Sequence, residues 1–232
     1  MKLSNAHRGD VNTLSEQNRS PNNRDYQMRK RADDMAMTRQ RIVEAAVRLH
    51  GTIGPAATTV SALAEEAQVT RLTVYRHFPH DVDLFAACSK HWASGQVLPD
   101  SQAWSKVGDP ELRLHSGLSD LYRFYRAGEP MLTNVRRDRA SLPAELLEQT
   151  DATDAKLCEV LLKPFAVRGN RRKRLRAVIG HAVSFWTWRS LCLEQGLSNR
   201  EATAAMTTMV MATARQGRAL GRGSHGGAAR PM

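Results

Sequence analysis

From Thr38 onward, Ile42, Ala45, Ala46, Leu49 and Ile53 recur at three- and four-residue spacing, while Arg39, Arg41, Glu44 and Arg48 take the opposite face. That periodicity predicts one amphipathic helix, with Thr38 as its N-cap and Gly51 as the left-handed residue at its end. The stretch Gly54-Pro55-Ala56-Ala57-Thr58 stops it. Thr59 then caps a helix of about two turns, with Val60, Leu63, Ala64 and Ala67 on one side. After Gln68 and Val69, Thr70 caps a third, Arg71 to His77, which turns Leu72 or Val74 inward with Phe78. Two helices this short cannot stand alone in water. Joined by a tight turn, with small residues for close packing, they make a helix-turn-helix whose second member can enter a major groove. The exposed side of that member supports this over a generic helical hairpin, because Thr70, Arg71, Thr73, Tyr75 and His77 are all hydrogen-bond donors.

Past Pro79 a fourth helix runs from about Asp81 to Trp92, and Gly95 to Gly108 reads as an irregular connection. Everything after it has helical patterning. Asp109-Pro110 opens a helix to about Ala127, Glu129-Pro130 one to about Arg139, and Pro143 one to Leu162. Arg171 to Gln195 reads as one long helix ended by Gly196, and Ser198-Asn-Arg-Glu201 is a capping box opening a helix to about Gln216. The expected fold is all-α. A polar, disordered arm (1–37) precedes a three-helix helix-turn-helix DNA-binding domain (38–92), then a helical ligand-binding and dimerisation domain (93–216) and a flexible tail (217–232). The last two long helices carry wide apolar stripes: Leu175, Val178, Ile179, Ala182, Phe185, Trp186, Arg189 and Cys192, then Ala202, Ala205, Met206, Met209, Val210 and Thr213. Burial within one chain accounts for part of each stripe, and a four-helix homodimer interface accounts for the rest.

Charge points to an anionic partner only weakly. The chain has a formal net charge of +11, but residues 167–232 hold 12 basic and 2 acidic groups, away from the helix-turn-helix. The densest run, Arg171 to Arg174 with Arg168 and Arg176, fits a solvated helix start or a site for an acidic partner. In the arm, Arg29, Lys30 and Arg31 have the composition of a phosphate- or minor-groove-binding segment. The three cysteines, Cys88, Cys158 and Cys192, lie far apart in apolar patterns, as buried reduced thiols do in a cytoplasm. The N-terminus lacks an apolar signal segment and no stretch is apolar enough to span a membrane, so a cytoplasmic protein is expected. No catalytic constellation emerges, and neither a metal nor a cofactor is implied. Gly221 to Gly226 has dinucleotide-loop spacing with no strand before it, and His77 and His80 straddle a proline turn without further ligands.

The runs Arg-Ile-Val-Glu-Ala-Ala (41–46), Thr-Thr-Val-Ser-Ala-Leu-Ala-Glu-Glu-Ala (58–67) and Val-Thr-Arg-Leu-Thr-Val-Tyr-Arg-His-Phe-Pro (69–79) resemble the N-terminal domain of the TetR (tetracycline repressor) family. The stretch from Leu175 to Met211 looks like the dimer-forming end of such regulators. The resemblance implies a non-enzymatic, dimeric repressor of a palindromic double-stranded operator, released by a small apolar effector; a regulator that binds DNA constitutively is the alternative. It further implies that Thr59, Tyr75 and His77 hold phosphates, that Arg71 and Thr73 read bases, and that Ser61 approaches the groove. Two departures stand out: Gln68 replaces the glycine common in the turn, and His80-Asp81 replaces a serine and basic residue after Phe-Pro. For an effector cavity the sequence offers Tyr122, Phe124, Tyr125, Met131, Phe185, Trp186 and Trp188, although core packing is the expected duty for most of them.

Overall fold

A computed structural model describes residues 21–219. Its elements are α1 (Pro21–Thr52), α2 (Val60–Glu66), α3 (Arg71–His77), α4 (Asp81–Ser94), α5 (Ser101–Ser105), α6 (Pro110–Ala127), α7 (Glu129–Arg137), α8 (Ala144–Leu162), α9 (Gly169–Ala182), α10 (Phe185–Arg189) and α11 (Asn199–Ala219). No strand occurs among the described residues, so the all-α expectation holds.

Two cores organise these helices. The first joins Ile42, Val43, Ala45 and Ala46 of α1 to Leu63, Ala64 and Ala67, to Val74 and Phe78, and to Cys88 of α4. The second gathers Trp104, Leu114, Leu118, Leu121, Leu161, Leu175, Ile179, Phe185 and Trp188 with Ala202, Met206 and Val210 of α11. There α11 lies against α6 and α9, and α8 against α9. The first core connects to the second chiefly through α1 packing on α7 and α4 on α8.

Several boundaries differ from expectation. Thr38 does not begin α1: its hydroxyl bonds back to the Asp34 carbonyl at 2.9 Å, as a mid-helix threonine does. Residues 22–37 hold no Gly, Pro or β-branched residue, and a helix already nucleated by its packed half extends through them cheaply. The arm expected over 1–37 is therefore helical from Pro21, with 1–20 outside the described residues. Gly51 stays helical; the positive φ falls at Gly54 (91°). The connection after Gly95 includes α5, because Asp100 caps the amides of Gln102 and Ala103 at 3.0 Å each and Trp104 is buried. The capping box forms as expected, Glu201 bonding the amide of Ser198 at 2.9 Å, but α11 continues to Ala219, beyond the expected start of the tail. Gly221 to Gly226 lies outside the described residues, as does the tail from 220.

The expected Arg171–Gln195 helix is broken. Ser184 turns to extended backbone and caps α10 through the Trp186 amide, which frees carbonyls at the end of α9. Tyr122 and Tyr125 take them up, donating to the Ala182 and Val183 oxygens at 2.7 Å each. Two buried phenols thereby satisfy a break that would otherwise strand polar groups in the core. A π-helical turn (Ser190–Glu194) follows, and Gly196 closes it with φ of 76°. The basic run at the start of α9 docks that helix to α8: Arg172 and Arg176 both pair with Glu159, the latter at 3.0 Å. All three cysteines are buried and unpaired, and burial pushes the Cys88 thiol up to about 12.

Candidate nucleic-acid interface

The helix-turn-helix forms as its caps dictate. Thr59 accepts the Ala62 amide at 3.1 Å, and Thr70 accepts the Thr73 amide at 3.1 Å. Each satisfies an amide that a helix start would leave orphaned. Between them Gln68 adopts φ of 53°, the left-handed conformation expected at that turn, which costs about 1 kcal/mol relative to glycine. Its amide reaches the Glu65 carbonyl at 3.0 Å and that of Val69 the Ala64 carbonyl at 2.9 Å, closing α2.

Val74 and Phe78 face inward, which resolves the choice left open in the sequence, and Leu72 is 77% exposed. Arg71, Tyr75 and Arg76 are exposed with it, Tyr75 at 54%; Thr73 and His77 are half-buried along the edge. Thr59 and Ser61 are exposed at the start of α2. The Thr70 and Thr73 hydroxyls bond each other at 2.9 Å, so only one of their protons remains for an outside partner. The Nε2 of His77 is buried with no hydrogen-bond partner. Burial, then the Arg76 and Arg39 charges, hold that imidazole below its ordinary pKa. Leu72 and Arg76 were missing from the sequence-based set; they stand opposite the inward pair, and helical periodicity alone would have added them once Val74 was chosen. Arg39 of α1 braces the end of α3, donating to the His77 carbonyl at 3.3 Å with its guanidinium 4.0 Å from the Phe78 ring centroid.

The C-terminal end of α1 is gripped by α7. Asn134 donates to the His50 and Gly51 carbonyls at 3.1 and 3.0 Å, and Arg137 donates to that of Ile53 at 3.1 Å. Asp138 accepts the Ala56 amide at 3.1 Å. Gly54 sits under this clamp with positive φ, and a Cβ there would lie 2.3 Å from both Arg137 and Asp138.

Beside this junction is a cavity of about 510 Å³. Val47 and His50 of α1 and Phe85, Cys88 and Trp92 of α4 form one wall, with α6, α7 and α8 opposite. Of the residues the sequence offered for an effector cavity, Phe124, Tyr125 and Met131 line this one. Tyr122, Phe185 and Trp188 do not: they are fully buried in the second core, and Trp186 points outward, 46% exposed. Aromatic character cannot separate core from cavity, and the wall supplied by α1 and α4 depends on packing that no local pattern encodes. His50 stacks on Phe85 with centroids 5.0 Å apart, and burial lowers its pKa. Arg136 and Asp154, 3.6 Å apart, are the charged pair on the wall.

Among the described residues, no group of three or more His, Cys, Asp or Glu side chains could hold a metal, and no helix is long and apolar enough to cross a membrane. Residues 42–88 match the family described as bacterial regulatory proteins, tetR family. The fold is similar to the crystal structure of a TetR-like transcriptional regulator from Rhodococcus sp. RHA1, with a TM-score of 0.51 and 19% identity, covering 79% of this chain and 97% of that one. No curated protein matches the sequence significantly.

Proposed function

We propose that this chain, a DNA-binding transcriptional regulator of the tetR family, is a dimeric repressor that a small apolar molecule releases from its operator. In this reading residues 38–92 are the DNA-binding head and 93–216 the effector and dimerisation domain. Two copies present their α3 helices about 34 Å apart, in successive major grooves of a palindromic site. Arg71 and Thr73 meet base edges, where a guanidinium can bond guanine bidentately and a threonine methyl can meet thymine. Thr59, Tyr75 and His77 hold phosphates, Ser61 approaches the groove, and Thr70 sets the start of α3. The exposed Leu72 and Arg76 join this face.

The observation that carries the ligand-released reading is the shared cavity. Helices α1 and α4 belong to the DNA-reading core, and both contribute wall residues, so a molecule seated among them acts directly on the head's position. The lining is largely aliphatic and aromatic, its one ion pair neutral overall, which favours an uncharged, apolar ligand. Dimerisation is supported by what monomer burial leaves over: Trp186 on α10 and Ala205 and Met209 on α11 remain exposed beside the buried Ala202, Met206 and Val210. The protein acts where the genome is, in the cytoplasm.

Linkage supplies the test. A compound that prefers the released state must weaken DNA binding by the factor by which DNA weakens the compound. A panel of small uncharged aromatic compounds is screened for thermal stabilisation of the purified protein, and hits are titrated against the protein with and without its selected duplex. Matching losses of affinity in both directions support the ligand-released repressor. Hits that stack in the cavity, shown by quenching of Trp92 fluorescence, yet leave DNA affinity unchanged would make it a constitutive regulator.

A further inference from the structure

We propose that the part of α1 preceding the first core, residues 25–38, is a second DNA-contacting element, which runs along the duplex past the recognition helix and places Arg29 and Arg31 on phosphates. The inference rests on α3 being the DNA-reading helix.

Three observations carry it. The first is direction. The C-terminal end of α1 is held by Asn134 and Arg137 of α7, whereas Arg39 is bonded to the carbonyl of His77, the last residue of α3. Arg39 thus marks where α1 passes the end of the recognition helix, with Gln40 beside His91 of α4 at 3.3 Å, and the helix continues upstream from that point. At 1.5 Å per residue it extends about 20 Å in that direction.

The second is the absence of cover. Residues 25–37 are all exposed apart from the half-buried Gln27, including Tyr26, Met28, Met35 and Met37. The third is how charge is distributed around the axis. Steps of four, three and four residues back from Arg39 give Met35, Ala32 and Met28, a row continuous with the side that braces α3. Arg29 and Arg31 flank this row, while Asp33, Asp34 and Lys30 turn toward the opposite side; Asp25, one turn before Arg29, is the one carboxylate on the row's side. Two guanidiniums edging a row of small and flexible side chains, in line with a DNA-reading face, suit a phosphate backbone: the row permits close approach and each arginine displaces counterions.

The test uses the full chain and a duplex recovered by selection from a random pool, with and without about ten extra base pairs on each flank. Affinity is measured as a function of salt for the wild type, for the double variant Arg29→Ala/Arg31→Ala, and for Arg71→Ala. The double variant should lower the slope of log K against log salt by about two per bound protomer. It should also keep the preference for the selected sequence, and it should lose no further affinity when the flanks are trimmed, whereas the wild type and Arg71→Ala should. An unchanged slope together with unchanged flank dependence would overturn the proposal while leaving the reading head intact. If Arg71→Ala leaves sequence preference untouched, the premise about α3 fails instead, so the two failures are distinguishable. Both arginines are exposed, so circular dichroism should show an undisturbed fold in the double variant.

Discussion

His50 shows how one side chain can belong to several parts of the molecule. Its backbone carbonyl is held by Asn134, its ring stacks on Phe85, and the same ring lines the cavity. Burial disfavours the imidazolium, so its pKa in the folded state lies below the ordinary 6.5. The unfolded chain therefore takes up a proton first as pH falls. The stability that goes with a neutral His50 is fully present above pH 6.5 and is lost below it, with a limiting slope of about 1.4 kcal/mol per pH unit for one group. Chemical denaturation between pH 7.5 and 5.5 should show the wild type losing more stability than His50→Leu; parallel losses would remove His50 from the account. The residues legible without a structure were those whose role is local. Thr59, Thr70 and Asp109 as caps, the left-handed Gln68, and the exposed Arg71 and Tyr75 follow from spacing within one or two turns of chain. Which aromatics pack and which line a cavity was not legible locally: Tyr122, Phe185 and Trp188 go to the core expected for most of them, and Trp186 stands exposed, because an aromatic's surroundings are set by distant partners.

The same division between local and distant causes holds for elements. Helix starts at Pro110, Glu129, Ala144 and Asn199 are announced by Asp, Pro or a capping box, and each lies within a residue or two of expectation. The break between α9 and α10 is announced by nothing nearby, since Val183 and Ser184 sit in an unbroken helical pattern. It exists because phenols on α6, about sixty residues earlier, donate to the carbonyls it frees. Tyr122→Phe removes one of those donors and leaves the Ala182 oxygen buried and unpaired. Unfolding by urea should then show a loss of about 1–3 kcal/mol. A change under about 0.5 kcal/mol would mean that the break is sustained some other way. The forward extension of α1 escaped notice for the opposite reason: it lacks the apolar repeat that marks a packed helix, and it persists as the continuation of one that is packed.

At the scale of the whole molecule, the first and second cores share the walls of a cavity rather than meeting through a simple linker. Helix α1 touches α3 through Arg39 near its middle and α7 at its C-terminal end, and the cavity opens between them. In the ligand-released reading proposed above, α1 is the continuous helix that connects the cavity to α3. The central claim is that the exposed side of α3 reads a DNA sequence, and it is tested most directly by selecting bound duplexes from a random pool with the wild-type protein and with Arg71→Ala, at near-physiological salt. The account predicts that the wild type enriches a two-fold symmetric motif bound about a hundredfold or more tighter than scrambled DNA, and that Arg71→Ala loses about 1–3 kcal/mol on that motif with relaxed preference at one position of each half-site. No enriched motif, or the same motif with the same affinity in the variant, would contradict it.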